Sequence, residues 1–90
     1  MDHFDVLVIG RSCVDYILAL KKFPKEDQKL PLDFRLIEAG GQGSTASCCI
    51  SKLGGKVAYV GKLGDDEGGK FCLKRLNDFN VNTDFIEIIR

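Results

Sequence analysis

The sequence predicts an α/β fold in which a parallel sheet of the doubly wound type carries a β-hairpin insertion. Apolar strand-like runs alternate with amphipathic helical segments, two of these runs end in glycine, and one half-polar pair of strands interrupts the alternation. Strands that alternate with helices are typical of parallel sheets. We therefore expect the order strand, hairpin, helix, strand, helix, strand.

The first part of the chain contains the first strand and the hairpin. Residues 5–10 are almost entirely aliphatic, which is typical of a strand covered on both faces. A turn is predicted over residues 11–15. Two strands, 16–23 and 30–39, are joined by a polar loop with a proline and read as a hairpin that is exposed on one side.

The second part alternates helices and strands. A helix is predicted over residues 44–53, a buried strand over 56–61, a helix that begins in the acidic loop 62–69 and ends near residue 79, and a strand over 83–89. The acids at the start of the second helix suit its dipole. Apolar residues fall at helical spacing in both helices: Ala46, Cys49, Ile50 and Leu53 in the first, and Cys72, Leu73, Leu76 and Phe79 in the second.

The glycine-rich stretch 38–47 is the most distinctive part of the chain. Gly40, Gly41 and Gly43 stand where an extended run gives way to a helical one. Glycine lets the main chain turn sharply and lie against a bound molecule. Ser44, Thr45 and Ser47 are N-cap candidates that would leave backbone N–H groups open to hydroxyl or anionic ligands; the alternative is a plain strand-to-helix turn.

Asp15 lies just past the end of the first predicted strand, where ligands bind in open α/β sheets. A carboxylate accepts two hydroxyl hydrogen bonds at once, which is what holding a polyol requires. The alternative is a solvated turn residue.

Composition excludes several classes of partner. Thirteen basic residues balance thirteen acidic ones without a basic cluster, so neither nucleic acid nor an anionic membrane is expected to bind. No apolar run approaches the roughly 20 residues of a membrane span, and the amino terminus does not resemble a signal peptide. We expect a cytoplasmic protein.

The titratable residues predict no metal site. The four cysteines, Cys13, Cys48, Cys49 and Cys72, form no C-x-x-C pair, and we expect buried free thiols in a reducing compartment. Three consecutive acids, Asp65, Asp66 and Glu67, are better explained as a helix cap with solvated charge. The single histidine, His3, offers no partner for a nucleophile.

Nucleotide-binding motifs are weak. Each of the three Gly-Lys pairs lacks the serine or threonine of a Walker A loop. Gly41-x-Gly43-x-x-Ala46 matches the loose dinucleotide fingerprint, but no acid stands at the tip of the following strand to bind a ribose. A stand-alone nucleotide or dinucleotide-binding module is therefore an alternative function.

The motifs together resemble the ribokinase/PfkB family of carbohydrate kinases. The resemblance rests on Gly10-x-x-x-x-Asp15, the hairpin that ends near Ala39-Gly40-Gly41, the helix to Leu53-Gly54, and Val60-Gly61-x-x-Gly64-Asp65-Asp66-x-x-Gly69. The resemblance covers nearly the whole of this chain, but it is to the amino-terminal portion of the family's proteins only.

The resemblance implies a ribokinase-like, Rossmann-type core, incomplete in this chain, with a small β-hairpin lid. Residues 1–14 and 39–90 would belong to the core, and residues 15–38 would form the lid. The lid would close over the substrate and could form a homodimer contact.

The implied reaction transfers the γ-phosphoryl group of ATP, with Mg²⁺, to a hydroxyl of a sugar or nucleoside. Asp15 would bind sugar hydroxyls, and Gly40 and Gly41 would bring the main chain against the sugar. Gln42, Thr45 and Cys13 complete the implied substrate site.

Three positions depart from the family pattern. Thr45 stands where the family usually has Asn, and Cys13 and Gln42 stand where ribokinases proper have Asn and Lys. These changes argue against ribose as the substrate, but they leave the interpretation as a sugar kinase in place.

The family's catalytic aspartate lies in a Gly-Ala-Gly-Asp segment that is absent here, as is the ATP site. We therefore expect no catalytic, cofactor or metal residues in this chain, and no activity of the chain alone. A non-catalytic truncated paralogue that associates through its strands is a further alternative.

Overall fold

The computed structural model describes residues 3–90, and within that range the chain forms five strands and two helices. The elements are β1 (Val6–Ile9), β2 (Cys13–Ala19), β3 (Phe34–Gly40), α1 (Gln42–Lys52), β4 (Val57–Gly64), α2 (Glu67–Asp78) and β5 (Ile86–Ile89). The predicted order of elements is confirmed.

Three of the strands form the predicted parallel sheet. Their order is β1-β4-β5, so β4 lies in the centre. Val6 pairs with Val57 at one end of the sheet, and Gly61 pairs with Ile86 towards the other. Both α1 and α2 pack against β4 and against each other, so they form one helical layer over the sheet.

The core lies between β4 and this helical layer. Val57, Tyr59, Leu76 and Val81 are buried there. The Tyr59 hydroxyl donates a 2.5 Å hydrogen bond to the Gly10 carbonyl oxygen, which ties the end of β1 to the central strand. The predicted inward face of α2 is confirmed at its two fully buried positions, Cys72 and Leu76, while Leu73 and Phe79 are half-buried.

The hairpin is a separate antiparallel sheet of two strands, paired from Cys13 with Gly40 to Ala19 with Phe34. The predicted turn over residues 11–15 is wrong in its second half, because β2 begins at Cys13 and this residue pairs with Gly40 across the hairpin. β3 begins at Phe34 rather than residue 30. Pro31 lacks a backbone N–H, which disfavours an earlier start.

The ends of the last two strands also differ from the prediction. β4 continues to Gly64 because its last four residues pair with β5. β5 begins only at Ile86, because the preceding residues form a local turn in which the Asp84 N–H donates to the Asn82 side chain at 3.0 Å. Asn82 itself makes an isolated parallel bridge with Ala58.

Helix α1 turns a largely different face inward from the one predicted, since of the four predicted residues only Ile50 packs against the core. Gly43, Ser44 and Ser47 are buried, whereas Ala46, Cys49 and Leu53 are exposed. A Cβ at Gly43 would stand 2.7 Å from the Gly10 carbonyl carbon and 2.9 Å from Cε1 of Tyr59. The helix approaches the end of β1 so closely that only small side chains fit on its inner face.

The fold leaves much apolar surface uncovered. The chain exposes 6910 Å², whereas a compact monomer of its mass exposes about 5,200 Å². Its radius of gyration is 16.1 Å, against about 12 Å for a compact 90-residue domain. The prediction that β1 is covered on both faces is wrong for this chain, since Leu7 is 58% exposed and Ile9 81% exposed.

Candidate functional site

An open depression of about 620 Å³ lies where the start of β2 meets the start of α1. Its lining residues are Arg11, Cys13, Asp15, Gly41, Gln42, Thr45 and Ala46. Five of the six predicted site residues therefore line one depression, and the sixth, Gly40, lies against Asp15. The structure brings together residues that are up to 32 positions apart in the sequence (Cys13 and Thr45).

The register of the hairpin places the Asp15 carboxylate over Gly40. Cys13 pairs with Gly40 and Asp15 pairs with Glu38, so Asp15 is a diagonal neighbour of Gly40 on the same face. A Cβ at position 40 would stand 2.1 Å from Oδ2 and 2.8 Å from Cγ of Asp15. The carboxylate can adopt this position only because residue 40 has no side chain.

Gly41 makes the sharp turn between β3 and α1. Its φ of 95° lies in a region that favours glycine, and a Cβ there would stand 2.5 Å from the Arg11 carbonyl oxygen. The glycine therefore allows the hairpin end, the 10–12 loop and the helix start to meet. This close approach forms one wall of the depression.

The first turn of α1 is capped by the chain itself. Gly41 is the N-cap and makes no side-chain cap bond, so the predicted caps at Ser44, Thr45 and Ser47 are wrong. The Arg11 carbonyl oxygen accepts hydrogen bonds from the N–H groups of Gly43 at 2.9 Å and Ser44 at 3.2 Å. The sequence could not show this acceptor, because it comes from a distant loop.

This capping bears on the dinucleotide alternative. In the fingerprint Gly41-x-Gly43-x-x-Ala46, the helix N-terminus should present free N–H groups to a pyrophosphate. Here the Gly43 N–H is already bonded within the chain, and the preceding strand belongs to the antiparallel hairpin instead of the parallel sheet. The geometry argues against a dinucleotide site.

Cys13 and Asp15 are neighbours on the same face of β2. The Cys13 thiol donates to Oδ1 of Asp15, with Sγ and Oδ1 3.5 Å apart. Partial burial, the hydrogen bond and the negative charge of Asp15 raise the pKa of the Cys13 thiol, in that order of size, against a smaller opposing effect of Arg11. Cys13 is therefore a neutral donor at neutral pH.

Two lining residues were not predicted. Arg11 brings a positive charge to the rim, and Ala46 adds a small apolar surface. Arg11 directly follows Gly10 at the carboxyl end of β1, and that position is the signal that could have identified it. Gln42 and Thr45 are exposed at the helix start.

The acidic loop caps the helix that follows it, as predicted. Oδ1 of Asp66 accepts the Gly69 N–H at 2.8 Å and caps α2. Asp65 lies 3.8 Å from Arg90, and Glu67 lies 3.5 Å from Lys70. Among residues 3–90, no group of three or more His, Cys, Asp or Glu side chains could hold a metal ion.

The cysteines form no disulfide, and all four lie in the part of the chain that the structure describes. Only Cys72 is buried, so the expectation of buried thiols is wrong for the exposed Cys49 and holds partly for the half-buried Cys13 and Cys48. Burial raises the pKa of the Cys48 thiol. No helix in the described range has the length and apolar character needed to cross a membrane.

Similar solved structures share this arrangement of strands and helices. A ribokinase from Arabidopsis thaliana, solved with ribose and ATP, superposes with a TM-score of 0.82 at 28% identity; the match covers 93% of this chain and 28% of that one. A fructokinase from Xylella fastidiosa superposes with a TM-score of 0.76 at 28% identity, over 93% of this chain and 25% of that one.

Curated relatives are similar in sequence over nearly the whole chain. A 5-dehydro-2-deoxygluconokinase of Listeria innocua is 33% identical over 81 residues, which is 90% of this chain and 24% of the relative. A deoxyribokinase of Salmonella typhi is 32% identical over 83 residues, which is 92% of this chain and 27% of the relative. The chain thus spans about a quarter of the length of these relatives.

The family comparison covers the whole described range. Residues 3–90 match the sequence pattern of the pfkB family of carbohydrate kinases. The match includes the hairpin, the glycine-rich stretch and the acidic loop on which the resemblance rests. The chain therefore belongs to the pfkB family of carbohydrate kinases.

Proposed function

We propose that this chain is the amino-terminal part of an ATP-dependent sugar kinase and that the depression at Asp15 binds the acceptor sugar. The observation that carries the proposal is the Asp15 carboxylate held over Gly40 at the edge of an open depression. The relatives named for deoxy sugars and the structures named for ribose and fructose support a sugar as the acceptor class.

Each lining residue has a chemical role in this proposal. Asp15 accepts hydrogen bonds from sugar hydroxyls, and such bonds to a charged acceptor are stronger than neutral ones. Gly40 leaves the space that the Asp15 carboxylate occupies, and Gly41 lines the depression where the Arg11 main chain packs against it. Thr45 and Gln42 offer a hydroxyl and an amide to further hydroxyls, and Cys13 lies beside the carboxylate.

The hairpin is the proposed lid over this site, with residues 15–38 as the lid and residues 1–14 and 39–90 as core. Its separate sheet supports that division. Tyr16, Leu18 and Phe34 are each more than half exposed on the hairpin. Such exposed apolar side chains suit contact with a further part of the protein or with a second copy, and we include a homodimer through the lid in the proposal.

The chemistry of phosphoryl transfer would lie outside this chain. The family reaction uses ATP as the phosphoryl donor and depends on positioning and charge stabilisation. Residues 3–90 contain no group of three or more His, Cys, Asp or Glu side chains that could hold a metal ion, and the sequence contains neither a Walker A loop nor a Gly-Ala-Gly-Asp segment. This chain would therefore bind and orient the sugar, and alone it would be inactive.

The remaining parts of the proposal concern location and partners. Free thiols at all four cysteines are compatible with a cytoplasmic location. The balance of thirteen acidic and thirteen basic residues supports a protein that binds neither nucleic acid nor an anionic membrane.

The test is a panel of sugars offered with ATP and Mg²⁺ to the gene product that carries this chain, with ADP formation as the readout. We expect ADP formation with at least one sugar and none with the 90-residue chain alone. A gene product that forms no ADP with pentoses, hexoses, their deoxy forms or nucleosides would overturn the proposal.

A further inference from the structure

The side chain of Tyr59 reaches from the central strand β4 to the carboxyl end of β1. Its hydroxyl donates a 2.5 Å hydrogen bond to the carbonyl oxygen of Gly10, the residue that follows β1. A Cβ at Gly61 would stand 2.7 Å from this hydroxyl, and a Cβ at Gly43 would stand 2.9 Å from Cε1 of the ring. The ring therefore occupies a space that exists because both of these residues are glycine.

This hydroxyl is a fixed, neutral donor. Tyr59 is 0% exposed, so the surrounding side chains hold its ring in one position. Burial raises the pKa of Tyr59, with a smaller contribution from Cys72, and the hydroxyl therefore keeps its proton at neutral pH. The bond to Gly10 ties a loop at the surface to a side chain that cannot move.

The Gly10 carbonyl belongs to the short loop between β1 and β2, and this loop joins the parts of the candidate site. The next residue, Arg11, lines the depression, and its carbonyl oxygen accepts the N–H groups of Gly43 at 2.9 Å and Ser44 at 3.2 Å. β2, which carries Asp15, begins directly after the loop. A shift of Gly10 would therefore move both the start of α1 and the strand that carries the carboxylate.

We propose that Tyr59 is a positioning residue for the sugar site, whose hydroxyl fixes the Gly10 carbonyl and, through the loop that follows, the start of α1 and Asp15. Tyr59 does not line the depression, so its effect on the sugar would be indirect. Binding groups keep their geometry only when further hydrogen bonds hold the elements that carry them. The inference rests on the proposed sugar-kinase function and adds a residue to its binding machinery.

Tyr59→Phe tests the inference in the gene product that carries this chain, because it removes the hydroxyl and keeps the ring. We expect the KM for the phosphorylated sugar to rise about five- to tenfold, as for the loss of one hydrogen bond. The kcat and the KM for ATP should stay within about twofold, because weaker binding of the sugar in the ground state and transition state alike raises only its own KM.

Asp66→Ala is the matched control for lost stability. It removes the oxygen that accepts the Gly69 N–H at 2.8 Å and caps α2, so it should destabilise the fold to a similar extent. Asp66 does not line the depression, and the KM for the sugar should stay within about twofold. An equal rise in the sugar KM in both variants would be an effect of lost stability and would overturn the inference.

Hydrogen exchange provides a readout that does not depend on activity. The amides of residues 42–46 include the N–H groups that bond to the Arg11 carbonyl oxygen. If the hydroxyl holds the loop, these amides should exchange at least about threefold faster in Tyr59→Phe than in Asp66→Ala, because they open locally. Equal exchange in the two variants would show that the hydroxyl does not position the start of α1, and it would overturn the inference.

The outcomes separate this inference from the proposed function. If the gene product phosphorylates a sugar and Tyr59→Phe leaves the KM for that sugar within about twofold, the inference is overturned and the sugar-kinase function stands. A gene product that phosphorylates no sugar would overturn both.

Discussion

The carboxylate of Asp15 and the Cα of Gly40 are packed so closely that a Cβ at Gly40 would stand 2.1 Å from Oδ2. The contact joins the two motifs on which the proposed function depends, one from each strand of the hairpin. Because Gly40 is buried and Asp15 is exposed, the glycine forms the floor beneath the carboxylate. The position of Asp15 is therefore set by the absence of a side chain at residue 40.

A substitution at Gly40 tests this relationship. In Gly40→Ala the new methyl group would displace the Asp15 carboxylate, and we expect the KM for the sugar to rise at least about tenfold, as for the loss of one hydrogen bond to a charged group. The fold should persist, because the clash is with an exposed side chain that can move. Steady-state kinetics of the gene product and thermal denaturation measure the two effects.

Gly68→Ala is the matched control for this substitution. A Cβ at Gly68 would lie 3.4 Å from Cγ2 of Val14, which is an ordinary contact, and alanine favours the helix over glycine. The KM of Gly68→Ala should stay within about twofold of the KM of the unmodified protein, because a substitution away from the depression has only a small effect. An unaltered KM in Gly40→Ala would contradict the proposed role of the glycine.

Gly41→Ala should lower the stability of the fold. Gly41 has a φ of 95° and a ψ of 147°, a region in which a residue with a side chain is strained, and a Cβ would meet the Arg11 carbonyl oxygen at 2.5 Å. We expect a loss of about 1–3 kcal/mol in the free energy of unfolding, measured by urea denaturation followed by circular dichroism. Lys52→Ala, an exposed change in the same helix, should cost less than about 0.5 kcal/mol.

Asp66 and Asp65 should differ in their effects on stability. Asp66 caps α2 through the Gly69 N–H at 2.8 Å, so Asp66→Ala should cost about 1 kcal/mol. Asp65 makes only an exposed contact with Arg90 at 3.8 Å, and Asp65→Ala should change stability by less than about 0.5 kcal/mol. Equal effects of the two substitutions on urea denaturation would show that the cap is not stabilising.

Tyr59→Phe removes the hydroxyl that bonds the Gly10 carbonyl oxygen at 2.5 Å. The substitution leaves that carbonyl without its partner, and we expect a loss of about 1–2 kcal/mol in the free energy of unfolding at neutral pH. A loss below about 0.3 kcal/mol would mean that the hydroxyl does not tie β1 to β4.

The same substitution should change the dependence of stability on pH. Burial raises the pKa of Tyr59 in the folded chain, with a smaller contribution from Cys72, so the unfolded chain releases this proton first. The stabilising contribution is therefore complete below the ordinary tyrosine pKa of about 10 and is lost as the pH rises through the folded value. Urea denaturation between pH 8 and 11 should show a smaller decline above pH 10 in Tyr59→Phe than in the unmodified chain.

The sequence predicts the element order because the relevant patterns are local. The alternation of apolar runs with helical spacing identified the parallel strands and the inward residues Cys72 and Leu76 of α2. The Asp66 cap followed in the same way from three acids before a helical segment. The glycine-rich stretch and Asp15 indicated a shared site that the structure assembles into one depression.

The errors arise where distant backbone groups decide the structure. β2 begins at Cys13 because its partner is Gly40, and α1 begins at Gln42 because the Arg11 carbonyl accepts the first N–H groups. The inner face of α1 carries only small side chains because the helix packs closely against Gly10. None of these contacts has a local signature, and the Cys13–Asp15 hydrogen bond likewise required the β2 backbone to place both side chains on one face.

The most direct test of the sugar-binding account is the KM for the phosphorylated sugar in Asp15→Ala of the gene product, beside Asp33→Ala. Asp33 is an exposed carboxylate of the hairpin that does not line the depression at Asp15, so it controls for the loss of charge. We predict a rise of about 10- to 100-fold for Asp15→Ala and less than twofold for Asp33→Ala, because only Asp15 would bond the sugar. A KM that is unchanged in Asp15→Ala would contradict the account.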